Sequence, residues 1–107
     1  MLNLLRNLFL RPTPVQAKAK VEIYTWKSCP YCIQAKRLLD KKGVSYQEYA
    51  IDGDEEARDK MSEGAEGRRT VPQVFVNGSG IGGSDELHEL ERRSALDPLL
   101  LEPPAEK

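Results

Sequence analysis

The chain has 107 residues, enough for one domain with a small core and too few for two. Sixteen basic and seventeen acidic side chains leave a net charge of -1, which excludes a polybasic surface for nucleic acid or for an anionic membrane. The two cysteines lie close together with none elsewhere, so there is no disulfide framework of the secreted kind, and a reducing, cytoplasmic setting is expected.

Charge is unevenly distributed. Residues 1–20 hold Arg6, Arg11, Lys18 and Lys20 and no acid, a local charge of +4 that leaves -5 on residues 21–107. Within Met1 to Leu10, Leu4, Leu5 and Leu8 share one helical face, in a run far too short to span a bilayer. Arg6 interrupts the apolar stretch that a secretory signal needs. A frayed extension, a helix for a partner or membrane surface, and a targeting segment remain open readings. Pro12 and Pro14 end any helix there, and Val15 to Lys20 reads as a linker. The expected division is 1–19 as extension, 20–101 as the folded domain and 102–107 as a tail.

Val21 to Trp26 is rich in β-branched and aromatic residues and has the length of a buried strand. From Pro30 to Lys42 the apolar Ile33, Ala35, Leu38 and Leu39 recur at helical spacing, and Gly43 supplies the stop. Val44 to Ala50 reads as a second strand, and Asp52-Gly53-Asp54 as a turn into a helix over 54–63. A loop carrying Gly64, Gly67, Arg68 and Arg69 leads through Thr70-Val71-Pro72 to a third strand, Gln73 to Val76. Asn77-Gly78 is a hairpin signal, so a short fourth strand follows around Gly80 to Gly82. A last helix runs from Ser84, read as its cap, to about Arg93, with Leu87 and Leu90 inward and the lone His88 on an exposed face. Leu99 to Leu101 is then free to pack back on the body. The order β-α-β-α-β-β-α predicts a mixed four-stranded sheet, its first two strands parallel and its last two antiparallel, flanked by helices.

Cys29-Pro30-Tyr31-Cys32 sits where the first strand gives way to the first helix. A helix N-terminus offers unpaired N–H groups and the positive end of the macrodipole, which favour a thiolate over a thiol. Pro30 suits the first helical position, where its missing N–H costs nothing. A structural zinc site needs two more ligands, and the chain adds only His88 besides carboxylates, so no metal is expected. Redox chemistry is the better reading.

With this unit at the front, Thr70-Val71-Pro72 before a strand and Gly82-Gly83-Ser84-Asp85 opening the last helix, the chain resembles a dithiol glutaredoxin of the small bacterial type, over roughly residues 20 to 100. The resemblance implies an α/β, thioredoxin-like fold and a glutathione-dependent thiol-disulfide oxidoreductase. It implies that Cys29 is the nucleophile and Cys32 the resolving thiol. Val71-Pro72 is then expected to be cis, with the Val71 backbone pairing with glutathione as a short added strand; on sequence alone a rigid turn is the simpler reading. Thr70 shapes that loop. Ser84 and Asp85 are expected to hold the γ-glutamyl end, although capping the helix would by itself explain them. Arg68 is assigned to the glycyl carboxylate, Arg69 second, and Tyr31 walls the site or merely packs.

Relatives of this type commonly carry a lysine where this chain has Trp26, so either Lys27 substitutes for it or glutathione binding leans more on Arg68 and the backbone. Gln34, where relatives often carry a basic residue, offers the ligand a hydrogen bond without charge. The implied partners are glutathione, disulfide-bonded or glutathionylated proteins and, indirectly, glutathione reductase, with a monomer acting without a tightly bound cofactor. Two rivals share the fold: a redoxin fed by thioredoxin reductase, and a carrier holding an iron–sulfur cluster through Cys29 and glutathione.

Overall fold

The computed structural model describes residues 14–105, so the expectations for Met1 to Leu10 lie outside it. Four strands and four helices follow one another: β1 (Val21–Thr25), α1 (Pro30–Lys41), β2 (Gln47–Ala50), α2 (Glu55–Gly64), β3 (Gln73–Val76), β4 (Ser79–Gly82), α3 (Ser84–Arg92) and α4 (Leu96–Leu101). The sheet order is β2-β1-β3-β4. β1 and β2 are parallel, with Ile23 opposite Glu48, while β3 is antiparallel to both β1 and β4. This is the mixed sheet expected from the helix-linked first strands and the Asn77-Gly78 hairpin.

Strand periodicity divides the core into two layers. Val21 and Ile23 of β1 and Val74 of β3 face α1 and α3, where they meet Ala35, Leu38, Leu39 and Leu87. On the opposite face Tyr24 and Phe75 meet Met61 and Ala65 at the end of α2. The Tyr24 ring lies against Tyr49 at 4.9 Å and edge-on to Phe75 at 5.5 Å between centroids. Such offset and edge contacts suit the aromatic quadrupole and pin β1, β2 and β3 together.

Local chemistry sets the element ends. α1 closes in a Schellman arrangement: Gly43 N–H donates to Asp40 and Val44 N–H to Leu39, each at 3.0 Å. Gly43 sits at φ +72, where a Cβ is unfavourable. α2 opens on Asp54, whose side chain accepts the Ala57 N–H at 3.0 Å. Asn77 and Gly78 both have positive φ, as a two-residue hairpin turn requires.

The structure differs from expectation at four points. β2 begins at Gln47 rather than Val44, because Val44 is spent on closing α1. Ser84 is the first residue of α3 and Gly83 its cap, the Gly83 N–H donating to Glu86 Oε1 at 2.7 Å. Leu96–Leu101 is a helix of its own, with Pro98 in the first turn where its missing N–H is harmless and Leu96 and Leu100 fully buried. Val15 to Lys20, read as a linker, lies along the body with Val15, Ala17 and Ala19 packed on the core. Val15 N–H donates to Lys42 and the Lys18 and Ala19 N–H groups to Leu100.

Candidate active site

Cys29 caps α1 in an extended conformation, and its sulfur accepts the Cys32 N–H at 3.1 Å. Both cysteines are free thiols. The Cys29 sulfur also lies 3.8 Å from the Val71 carbonyl, in reach of an S–H donor. Cys32, one turn deeper, is 1 % exposed. Burial pushes its thiol up to about 12, with the hydrogen bond to Cys29 acting the same way, while the Trp26 backbone and the Lys36 ammonium pull it down. The pair is therefore asymmetric: one sulfur at a helix mouth, the other enclosed.

The Val71-Pro72 bond is cis. Beside it a groove of about 420 Å³ is walled by Tyr31 at one side, by Arg68, Thr70, Val71 and Pro72, and by Ser84 and Asp85 at the mouth of α3. Seven of the residues expected at the site thus share one cleft. Tyr31 stands open to solvent at 58 % exposure and is no part of the core. Thr70 accepts a hydrogen bond from Gln73 Nε2 at 3.3 Å, which joins the loop to the first residue of β3.

Lys27 and Gln34 are placed elsewhere. The Lys27 N–H is held by the Asp52 carboxylate at 3.0 Å, fixing the turn before the dithiol. Gln34 lies on the exposed side of α1, in a separate depression with Arg37, Lys41 and His88. His88 is half-buried rather than exposed, its Nδ1 2.8 Å from the Ser84 carbonyl. Trp26 is 39 % exposed, and the Arg58 guanidinium rests 4.6 Å above its ring. Arg69 reaches Asp59 at 2.8 Å and Glu55 at 3.2 Å, tying the loop to α2.

Two lining residues were not singled out from the sequence. Glu86 lies in the groove, 3.5 Å from Arg68, while also accepting from Gly83. The spacing of Gly83 and Glu86, three apart at a helix start, is that of a capping box and was readable. Gln73 gave no such signal. Among the described residues no cluster of three or more His, Cys, Asp or Glu side chains suits a metal, and no helix is long and apolar enough to cross a membrane.

Comparison with known proteins agrees with this geometry. The glutaredoxin family model matches residues 21–81. A probable glutaredoxin of Synechocystis sp. is 64% identical over 87 residues, covering 81% of this chain and 80% of that protein. Glutaredoxin 3 of Escherichia coli K12 is 54% identical over 82 residues, covering 77% and 98%. Among solved structures, the glutaredoxin of Brucella melitensis superposes with a TM-score of 0.70 at 41% identity, covering 79% of this chain and 91% of that one. A buckwheat glutaredoxin–glutathione complex gives 0.67 at 32% identity, covering 77% and 76%. The chain belongs to the glutaredoxin family, as a thiol oxidoreductase of thioredoxin-like fold with a Cys-x-x-Cys pair at the head of its first helix.

Proposed function

We propose that the protein is a glutathione-dependent disulfide oxidoreductase, in which Cys29 attacks disulfides and protein–glutathione mixed disulfides and Cys32 resolves the intermediate when both thiols are used. The observation that carries this reading is the single groove joining the cis Val71-Pro72 edge, Arg68 and the N-terminus of α3 beside the dithiol. Its lining chemistry suits a short peptide with a carboxylate at each end. The free Val71 edge pairs with the ligand backbone, the α3 N–H groups with one carboxylate and Arg68 with the other. Asp85 takes the ammonium, while Tyr31 and Thr70 close the sides. A glutathione complex of a buckwheat relative supports the assignment.

In the first step the Cys29 thiolate attacks one sulfur of the substrate disulfide, forming a new S–S bond as the other sulfur departs with the electron pair and takes a proton. The Cys32 N–H and the α1 dipole steady the charge on Cys29. Glutathione then displaces the product from Cys29 in the one-cysteine route. In the two-cysteine route Cys32 does so, and two glutathiones later reduce the internal disulfide. The redox poise of such couples, about -200 to -230 mV, fits a reductant fed by a glutathione pool in the cytoplasm.

Two variants test the assignment. Cys29→Ser is expected to abolish thiol transfer to a glutathionylated peptide, whereas Cys32→Ser retains it. Loss of that activity in Cys32→Ser overturns the division of roles. Turnover coupled to thioredoxin reductase but not to glutathione with glutathione reductase overturns the choice of reductant.

A further inference from the structure

The two-cysteine route asks Cys32 to lose its proton where charge is disfavoured, since the side chain is 1 % exposed and burial raises its pKa to about 12. One cationic side chain outside the groove lies on the same helix as this thiol. Lys36 follows Cys32 by four residues on α1, one turn along the same helix face. Its Nζ donates to Glu48 Oε2 of β2 at 3.0 Å, and the same oxygen accepts the Thr25 hydroxyl from the end of β1 at 2.6 Å. Thr25 is fully buried, and Lys36 and Glu48 are about two-thirds covered. The Thr25 hydrogen bond holds the Glu48 carboxyl below its ordinary range against the opposing effect of burial, and Lys36 adds to the hold. Glu48 therefore stays ionised at neutral pH, and the ammonium is kept against α1 rather than released to water.

We propose that Lys36, fixed by Glu48 and Thr25, is a positioning residue for the second half of the reaction, its ammonium favouring the Cys32 thiolate that resolves the mixed disulfide. The proposal rests on the resolving role given to Cys32 above. In that step the Cys32 proton leaves, the thiolate attacks the Cys29 sulfur and the Cys29–Cys32 bond forms. The bond from Cys29 to the substrate sulfur breaks, and the departing thiolate ends with the proton, so Cys29–S–S–R and a thiol become an internal disulfide and RSH. Of the groups acting on Cys32, Cys29 and Lys36 are ionisable, and the turn contributes the Trp26 backbone. Lys36 faces one carboxylate, Glu48. Cys29, once in a mixed disulfide, carries no charge, which leaves the Lys36 ammonium, ion-paired to Glu48, as the cation acting on Cys32.

The test uses the Cys29→Ser protein, in which Cys32 is the sole thiol, and follows its alkylation by iodoacetamide at pH 8 under native conditions. Below the thiol pKa this rate tracks the thiolate fraction, so an electrostatic effect is read as a fold-change. Adding Lys36→Met is expected to slow alkylation about fivefold, and Lys36→Arg to restore it to within about twofold. A structural role predicts the opposite sign, since a loosened α1 exposes Cys32 and speeds alkylation. A Lys36→Met rate equal to or above the parent's, or a Lys36→Arg rate as slow as that of Lys36→Met, overturns the proposal. The assay contains no glutathione. Failure of the role division on which the proposal rests shows instead as inactivity of Cys32→Ser toward a glutathionylated peptide, with the alkylation ratios untouched.

Discussion

Lys42 is the most completely buried charge described, and replacing it by methionine isolates what that charge does. Its side chain is 1 % exposed, with the ammonium 3.0 Å from Glu91 of α3 and 2.6 Å from Asp97 of α4, the latter an ion-pair contact without hydrogen-bond alignment. Three helices thus meet on one cation at the end of α1. Burial opposes the charged form most strongly, yet the two carboxylates together outweigh it and hold the ammonium above its ordinary pKa. Removing one partner of a fully buried pair costs about 3–5 kcal/mol. Here Glu91 and Asp97 keep 21% and 41% of their side-chain surface in water, so they rehydrate, and methionine preserves most of the stem packing. The expected loss is about 2 kcal/mol, or a fall in Tm of about 8–16 °C for a domain of this size. Urea unfolding followed by circular dichroism at pH 7 measures it. Because the folded pKa is raised, the contribution is whole below the unfolded lysine value of about 10.4 and fades as pH climbs through the folded value. A loss under about 0.5 kcal/mol at pH 7, or a difference that persists undiminished at pH 11, refutes the reasoning.

Two further changes probe the groove and the frame. Arg68→Ala is expected to raise KM for a glutathionylated peptide about three- to tenfold with little change in kcat, since Arg68 binds the ligand away from the reacting sulfurs and is half exposed; steady-state kinetics at fixed glutathione decides it. Gly43→Ala places a side chain at φ +72 in the turn that closes α1 and is expected to cost about 1 kcal/mol by urea titration, with thiol transfer per folded molecule unchanged.

The dithiol and the mixed sheet were legible because each depends on local rules: helix-end chemistry, period-two strands, an Asn-Gly turn. Thr70-Val71-Pro72 and Ser84-Asp85 were expected in the groove through the resemblance to glutaredoxins, since local rules alone read them as a rigid turn and a helix cap. What the sequence hid depends on distant partners. The Val15-Ala17-Ala19 alternation is weak by itself and becomes a packed segment only because α4 and the end of α1 offer it free carbonyls. Lys42 reads as one of several surface lysines at the end of a helix until α3 and α4 close over it. Leu96 and Leu100 form a helix face only when the alanine-rich edge of the chain lies opposite. Lys27 was expected at the ligand end and does not line the groove; its backbone N–H is bound by Asp52, a partner no short-range pattern announces.

Trp26 acquires its meaning in the same way. A neutral indole stands where the resemblance led to the expectation of a cation, yet the position is not without positive charge, because Arg58 of α2 lies over the ring. That guanidinium has Glu55 3.9 Å away, Arg69 is bound to Glu55 and Asp59, and Arg68 faces Glu86. The arginines around the dithiol are thus engaged before a ligand arrives. An anionic ligand exchanges one carboxylate for another rather than filling an empty cationic site, and the net gain is the difference between the two contacts. On the proposed reading, discrimination then falls to the Val71 edge, whose carbonyl has the Cys29 sulfur 3.8 Å away, and to the first N–H groups of α3. These recognise the spacing of a peptide's backbone and terminal carboxylate more than its charge.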